Sequence, residues 1–381
     1  MSEKPHRERH RVAVIMGGQS AERDVSVRTG ATIVKELCRD YRVKPVEILA
    51  SGRWTVAASF VGEGVDPDPG AWFRGGGQHV LEALSRLRDA GVDVAFNALH
   101  GPMGEDGTIQ GLFRMVGLPF TGPDVIPAAV TMDKRLTKQV LLAAGISTPP
   151  FFALKASSVL DGSGDWARLF EREARRLSFP WILKPNRLGS SVGVAIFGGI
   201  DQAIAETPAL LRRWPESARE EGLLVEEVVT GRELTCGVIE TGAPARALPP
   251  IEIRPRGHDF FNYEAKYTPG ASEEICPAPL TPAETRKVQD VALAVHELLE
   301  CAPLSRTDMF LRPDGRLEVL EVNTLPGMTA TSLIPLSASK AGIPLRDLLS
   351  SLVEHGLSRA RAAGCLEACD ELDPDSKSLG A

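Results

Sequence analysis

Near the C-terminal end of the chain, two apolar runs flank Pro313-Asp314-Gly315, and the stretch from Arg306 to Asn323 (RTDMFLRPDGRLEVLEVN) reads as a β-hairpin. A hairpin dictates partners. With a two- or four-residue loop centred on Asp314 and Gly315, Asp308 lies across from Glu321 and Arg306 across from Asn323. Side chains alternate, so all four share one face. Opposed carboxylates in a ladder repel, and a bound cation turns that repulsion into a site. Two carboxylates and an amide oxygen are hard ligands of the Mg²⁺ type, which usually also hold substrate phosphates. Pro313 equally suits a three-residue loop with Gly315 as a bulge, a register that sends Asp308 and Glu321 to opposite faces. A surface hairpin with solvated charges is the competing reading.

The remaining pattern is α/β. RVAVIMGG (11–18) is a buried strand ending in glycines, and a helical pattern follows from about Asp24 to Leu37. Strand, glycine turn and helix open a doubly wound, parallel-sheet domain. GGQSAERDVS lacks GxGxxG, so the dinucleotide fingerprint is absent. Glu22 lies in the turn at the strand's carboxyl end, where such sheets place ligands; a helix-capping or solvated acid is the local alternative. VKPVEILA is a second strand, 51–78 an irregular insertion, 79–89 a helix and VDVAFNAL a third strand. HGPMGEDG (100–107) follows at once, and its density of Gly, His and acids marks a functional loop. A short helix and LPFTG close a first domain near Gly122.

MDKRLTKQVLLAAGI reads as an amphipathic helix with Lys134 and Lys138 one turn apart. Helical lysines are usually solvated, so spacing alone marks neither as a ligand. FPWILKPNRLGSSVGVAIF is strand, Gly/Ser loop and strand. Lys184 closes the first strand inside an apolar run, where an unpaired ammonium is costly. A lysine beside such a loop suits phosphate, although this is not a Walker A sequence. GLLVEEVVTGREL is a strand with adjacent Glu226 and Glu227, one of which faces solvent, and with Glu233 beyond a Gly-Arg turn. The stretch 251–280 starts as a strand and becomes a long loop of the kind that forms lids, with Tyr263, Lys266 and Tyr267 in reach of a ligand. A helix capped near Thr281 precedes the hairpin. After it, Gly327, Thr329 and Ser332 offer backbone and hydroxyl donors, and KAGIPLRDLLSSLVEHGLSRARA is a final helix.

A chain of 381 residues holds two or three domains, and 43% hydrophobic with 24% charged residues is ordinary for a soluble enzyme. The net charge of −7 argues against broad nucleic-acid binding but leaves room for a small cationic pocket. MSEKPHRERHR has no apolar h-region, and no apolar run is long enough to span a bilayer. The six cysteines are scattered, which points to reduced thiols in the cytoplasm rather than zinc.

Seven stretches, GGQSAERDVS, LHGPMGEDGTIQG, MDK, ILKPNRLGSSVGV, YEAKY, SRTDMF and EVNTLPGMT, occur in the order seen in one family. Together they make residues 11–360 resemble the D-alanine–D-alanine ligases of the ATP-grasp superfamily. The resemblance implies an arm (1–10), an N-terminal α/β domain (11–122), a central ATP-grasp subdomain (123–221), a C-terminal subdomain (222–364) and a disordered tail (365–381). It implies ATP and two Mg²⁺ (or Mn²⁺) ions as cofactors, the ions held by Asp308, Glu321 and Asn323, which selects the even-length turn. Lys134, Lys184 and Lys266 would bind phosphates, with Ser190 and Ser191 of the loop folding over them. Glu226 would meet the adenine amino group, the backbone of Glu227, Val228 and Val229 would line the base, and Glu233 would hold the ribose. Glu22 would take the ammonium of the first D-alanine with His100 nearby, and Glu22, Ser190 and Tyr267 would close the loop. Arg306 and the Gly327 N–H would stabilise an oxyanion, and Ser332 and Leu333 would bind the second D-alanine's carboxylate. The implied reaction is ATP-dependent ligation of two D-alanines through an acyl phosphate, for peptidoglycan precursors, by a cytoplasmic homodimer. Glu227-Val228 departs from the Lys-aromatic pair of many members, which weakens adenine packing, while Tyr267 in YEAKY favours an amino acid as second substrate. The competing expectations are ligation to D-serine or D-lactate, and a nucleotide-binding protein without catalysis.

Overall fold

The computed structural model describes residues 9–61, 72–73, 75–162, 165–189, 193–242, 244–255 and 272–362. Ser190, Ser191, Tyr263, Lys266, Tyr267 and the tail 365–381 lie outside the described residues, as do residues 1–8 of the expected arm. His10 is not part of a free arm: its carbonyl accepts from Arg42 N at 2.9 Å, extending the first ladder by one residue.

The first sheet runs β3-β2-β1-β4, with β1 Arg11–Gly17, β2 Arg42–Ile48, β3 Trp54–Val56 and β4 Val94–Asn97. β1 is parallel to β2 and β4, and β3 is an antiparallel edge drawn from the stretch expected to be irregular. Val12 to Met16 are fully buried, as a parallel strand covered on both faces requires. Helix α1 (Arg23–Leu37) buries Ile33, Val34 and Leu37, and α2 (Val80–Asp89) and α3 (Thr108–Met115) follow.

Past α4 (Val125–Met132) and α5 (Lys134–Ala143), a second sheet runs β5-β8-β6-β7, with β5 Phe151–Leu154, β6 Trp181–Pro185, β7 Ala195–Phe197 and β8 Leu223–Glu227. Every pairing in it is antiparallel. α6 (Ala156–Leu160), α7 (Trp166–Glu173), α8 (Ile200–Arg213) and α9 (Glu216–Glu221) lie between its strands in sequence. β8 was expected to open the C-terminal subdomain. Its Leu223–Glu227 backbone instead pairs with β5 and β6, so the change of sheet falls after Glu227 rather than at 221/222.

The third sheet runs β12-β11-β9-β13-β14, with β10 on β9. Its strands are β9 Arg232–Ile239, β10 Arg246–Ala247, β11 Ile251–Pro255, β12 Ser272–Ile275, β13 Leu304–Leu311 and β14 Leu317–Asn323. β12 lies in the stretch read as loop, held antiparallel to β11. α10 (Pro282–Leu298) begins in a capping box, with Thr281 Oγ1 accepting from Glu284 N and Glu284 returning a bond to Thr281 N. The stretch after the hairpin holds an unexpected helix, α11 (Leu333–Lys340), before the last, α12 (Leu345–Ala362). Pro335 sits in α11's first turn, where a missing N–H is tolerated.

The β13–β14 register corrects one expectation and keeps its consequence. Gly315 N donates to Arg312 O and Arg312 N to Arg316 O, each at 2.9 Å, and Gly315 has φ +81°. That is the three-residue loop, not the even one. Near the turn Leu311 pairs with Leu317 and Met309 with Val319. The ladder then shifts between Asp308 and Met309, leaving Leu320 as an extra residue. Beyond this bulge Asp308 is opposite Glu321 and Arg306 opposite Asn323, as expected.

Candidate active site

Two charge clusters meet where α5 passes between the second and third sheets. On the third sheet, alternation along β13 turns Arg306 and Asp308 to the same half-buried face, away from buried Thr307 and Met309. Arg306 donates to both Asp308 oxygens, Nε to Oδ1 at 2.9 Å and Nη2 to Oδ2 at 2.8 Å. Thr235 of β9 donates to Oδ1 at 2.6 Å. Despite burial, Asp308 and then Glu321 and Glu105 drive the Arg306 guanidinium above its ordinary range, so it is permanently charged. The Arg306 fork leaves Nη1 unassigned to Asp308, and each carboxylate oxygen keeps lone-pair capacity. Lys134 Nζ lies 3.6 Å from Glu321 Oε2 and donates to Leu188 O at 2.8 Å, tying the hairpin to the root of the glycine-rich loop. Asn323 Oδ1 accepts from Leu325 N at 2.9 Å, which fixes its amide. Among the described residues no three His, Cys, Asp or Glu side chains cluster into a metal site. A cation here would therefore take Asp308 and Glu321 with the Asn323 oxygen, a hard-oxygen set that fits Mg²⁺ or Mn²⁺.

On the second sheet, Glu226 of β8 is buried between two lysines. Lys184 Nζ of β6 is 2.6 Å from Oε2, and Lys138 Nζ of α5 is 2.7 Å from Oε1. Lys184 thus has the partner its buried position demands. Burial would raise the Glu226 carboxyl, but Lys138 and Lys184 outweigh it and hold it below the usual range. Each oxygen of this carboxylate thus faces its own ammonium. A carboxylate oxygen keeps lone-pair capacity beyond one ammonium, which suits an incoming N–H. Glu227 points the other way and accepts from Ser178 N at 2.7 Å. Val228 and Val229 are half-buried beside it, and Glu233 pairs with Ile253 and Phe310 in the third sheet. Asp133 caps α5 through Leu136 N and accepts from Arg187 Nε at 3.0 Å, and Lys134 N donates to Asn186 O, anchoring the glycine loop's entry.

At the carboxyl end of β1, Glu22 makes no side-chain cap on α1, so the capping alternative fails. Its carboxylate lies between two loops: a Cβ on Gly101 would sit 2.8 Å from Oε2, and one on Gly189 3.2 Å. His100 is buried, 3.6 Å from Glu105 Oε1 and 3.2 Å from Thr29 Oγ1. Across the site, Ser332 is the N-cap residue of α11, yet its hydroxyl turns back to accept from Thr329 N at 3.1 Å. A Cβ on Gly327 would meet that hydroxyl at 2.9 Å, so a larger residue there would push Ser332 aside. Leu333 opens α11, whose N-terminal N–H groups favour an anion.

The structure therefore brings together Arg306, Asp308, Glu321, Asn323 and Lys134, and separately Lys184 and Glu226. Sequence reading passed over Lys138, which is the most buried of these cations, and over Thr235, Asp133, Arg187 and Glu105. For Lys138 a signal existed. It shares α5's buried stripe with Thr137 and Leu141.

Residues 11–123 match the family model "D-ala D-ala ligase N-terminus" and residues 140–354 match "D-ala D-ala ligase C-terminus". A D-alanine–D-alanine ligase of Leptospira interrogans is 36% identical over 361 residues, covering 92% of this chain and 99% of the relative. Among solved structures, a D-alanine–D-alanine ligase from Bacillus anthracis complexed with ATP aligns with TM-score 0.71 and 29% identity, over 94% of this chain and 100% of that one. VanG, a D-Ala:D-Ser ligase from Enterococcus faecalis, aligns with TM-score 0.72 and 26% identity, over 92% and 100%.

Proposed function

The chain belongs to the D-alanine–D-alanine ligase family, and we infer from that membership that it joins two D-alanines at the expense of ATP for peptidoglycan synthesis. The fold is ATP-grasp. The observation that carries the residue-level reading is the bulged hairpin that sets Asp308 against Glu321 beside Arg306 and Asn323.

ATP is read into the gap between the two charge clusters. Glu226, a carboxylate with lone-pair capacity beyond its two lysines, accepts from the adenine amino group. The backbone of Glu227, Val228 and Val229 lines the base, and Glu233 takes the ribose hydroxyls. Lys184 and Lys134 face the phosphates; Ser190, Ser191 and Lys266, which lie outside the described residues, are assigned to the phosphates from the family resemblance alone. Asp308, Glu321 and Asn323 would hold two Mg²⁺ (or Mn²⁺) ions, which when bound neutralise phosphate charge and align the γ-phosphoryl group. Glu22, with His100 nearby, holds the first D-alanine's ammonium; the partnership of Glu22 with Ser190 and Tyr267 is what the family resemblance implies for residues outside the described ones. That substrate's carboxylate attacks the γ-phosphorus, ADP leaves and an acyl phosphate forms. Ser332, Leu333 and the α11 N-terminus orient the second D-alanine by its carboxylate. Its free amine attacks the acyl carbon, Arg306 Nη1 and the Gly327 N–H stabilise the oxyanion, and phosphate departs. Closure over the site keeps water from the acyl phosphate.

A domain division at 11–122, 123–227 and 228–362 follows the sheets and replaces the boundary expected at 221/222. The scattered free thiols support a cytoplasmic location, and among the described residues no helix is long and apolar enough to cross a membrane. A homodimer is what the family resemblance implies.

The test offers D-alanine, D-serine and D-lactate together with MgATP and reads phosphate release and product. D-alanyl-D-alanine as the main product is expected; a product ending in serine or lactate moves the second substrate, and no product refutes ligation. Asp308→Asn should lower turnover by about 100-fold or more. Unchanged turnover in that variant removes Asp308 from the metal set.

A further inference from the structure

We propose that Lys138 is a positioning residue that keeps Glu226 a carboxylate aimed at the base, and thereby makes the site select adenine over guanine. This rests on the reading of Glu226 as the adenine contact.

The geometry is specific. Lys138 has no exposed surface, and neither spacing nor burial demands a charge there: a methionine or leucine would fill that stripe of α5. Instead its ammonium lies 2.7 Å from Glu226 Oε1 and 2.5 Å from Thr148 Oγ1, with the Phe151 ring centroid at 5.6 Å. Among the described residues, the charged groups that act on it most are Glu226 from β8, Lys184 from β6 and the more distant Glu321 from β14. Three elements each supply one member of a Lys–Glu–Lys set in which Glu226 is almost wholly buried.

One lysine is enough to neutralise one carboxylate. Lys184 also has phosphate to serve, so Lys138 is the cation that stays with Glu226 when Lys184 turns away. The distinction matters for the base. A carboxylate only accepts hydrogen bonds, whereas a protonated carboxyl also donates. Adenine presents an amino donor where guanine presents a carbonyl oxygen. Ionised Glu226 therefore attracts the first and repels the second. A protonated Glu226 tolerates both. Burial by itself pushes Glu226 towards the protonated form, and Lys138 is the largest influence opposing it. Rejection of the wrong hydrogen-bonding partner by a buried polar group is a strong discriminator.

The test measures kcat and KM for ATP and GTP in the full chain carrying Lys138→Met, Glu226→Gln, or both, each checked for folding by circular dichroism. Lys138→Met should cut the ATP-over-GTP preference in kcat/KM by about tenfold or more, mainly through a higher KM for ATP. Glu226→Gln, whose amide both donates and accepts, should cut it too, and the double variant should lose little beyond Glu226→Gln. Thr148→Val, which frees one contact of Lys138 without changing charge, should shift the preference the same way by less, and it carries the test if Lys138→Met does not fold. If Glu226→Gln erodes the preference while Lys138→Met or Thr148→Val leaves it intact, the role given to Lys138 is wrong. If Glu226→Gln itself leaves the preference intact, the reading of Glu226 as the adenine contact is wrong instead.

Discussion

A lysine sealed from water costs the fold unless its charge is matched, and Lys138 shows both halves of that statement. Burial drives its ammonium down to about 8 from an ordinary 10.5, although Glu226 pulls the other way. The sign of the consequence is fixed. Between those two values the unfolded chain keeps the proton and the native chain does not, so this group's contribution to stability grows as pH rises through the window and is lost as pH falls through about 8. Cys236 and Cys301, pushed up to about 12 by burial, act in the opposite sense, because the native state then holds protons the unfolded one releases. Comparing the protein with its Lys138→Met variant removes those shared terms. Denaturant unfolding across pH 7 to 10.5 should show the stability difference moving in favour of the native sequence by about 3 kcal/mol. A difference that stays flat across the window would show that Lys138 does not lose its proton there. The residue was visible in the sequence, one turn from Lys134, but a lysine on a helix is usually a solvated one, and only its place in the stripe with Thr137 and Leu141 marked it otherwise.

At the scale of an element, the hairpin shows what a turn alone cannot decide. Pro313-Asp314-Gly315 is a three-residue loop, and with a regular ladder it would put Asp308 and Glu321 on opposite faces; Leu320 restores the pairing as a bulge. The sequence did carry the bulge. The apolar positions of β14 step from Leu317 and Val319 to Val322, a change of phase that only an extra residue accommodates. A register set from the turn outward overlooks that step. Elsewhere the strong signals were period and punctuation: β1, β4, β6 and α10 follow from apolar runs and the Thr281 cap. α11 was hidden because Pro335 and the serines of LIPLSASK read as loop, and β12 because its strand exists only by pairing with β11. Two single-residue changes separate the bulge from its alternatives. Deleting Leu320 leaves Asp308 across from Glu321, so the variant should fold and keep turnover within about tenfold. Inserting alanine between Asp308 and Met309 gives Leu320 a partner and turns both carboxylates toward the core, so turnover should fall to background. Loss of activity in a folded Leu320 deletion, or survival of it in the insertion, contradicts this account.

Across the whole molecule, apolar packing and the site divide differently. One core joins Val12, Met16, Ile33 and Phe96 of the first domain to Ile334, Leu349 and Val353 of the C-terminal helices. Another, Phe152, Phe170, Trp181, Leu183 and Phe197, belongs to the second sheet alone, where Phe152, Phe170 and Trp181 meet edge-on at centroid distances of 5.4 to 5.8 Å. Where α5, backed by β14, meets the second sheet, the described contacts at the site are polar: Lys138 with Glu226, Lys134 with Leu188 O, and Asp133 with Arg187. α5 and its N-cap residue Asp133 supply one side of all three, and Leu141 of α5 packs beside Val319 and Val322 of β14. A nucleotide gripped from both sides would then be the main tie between two bodies that fold around separate cores. Phe170→Ala, at a fully buried position, should cost about 3–5 kcal/mol and confine that cost to the second sheet. Hydrogen exchange should show faster exchange throughout 151–227 with β1 and β4 still protected, and saturating ADP should restore part of the protection by mass action. Equal loss of protection in β1 and β4 would mean that the two cores unfold as one, and that the site does not lie on a seam between independently stable bodies.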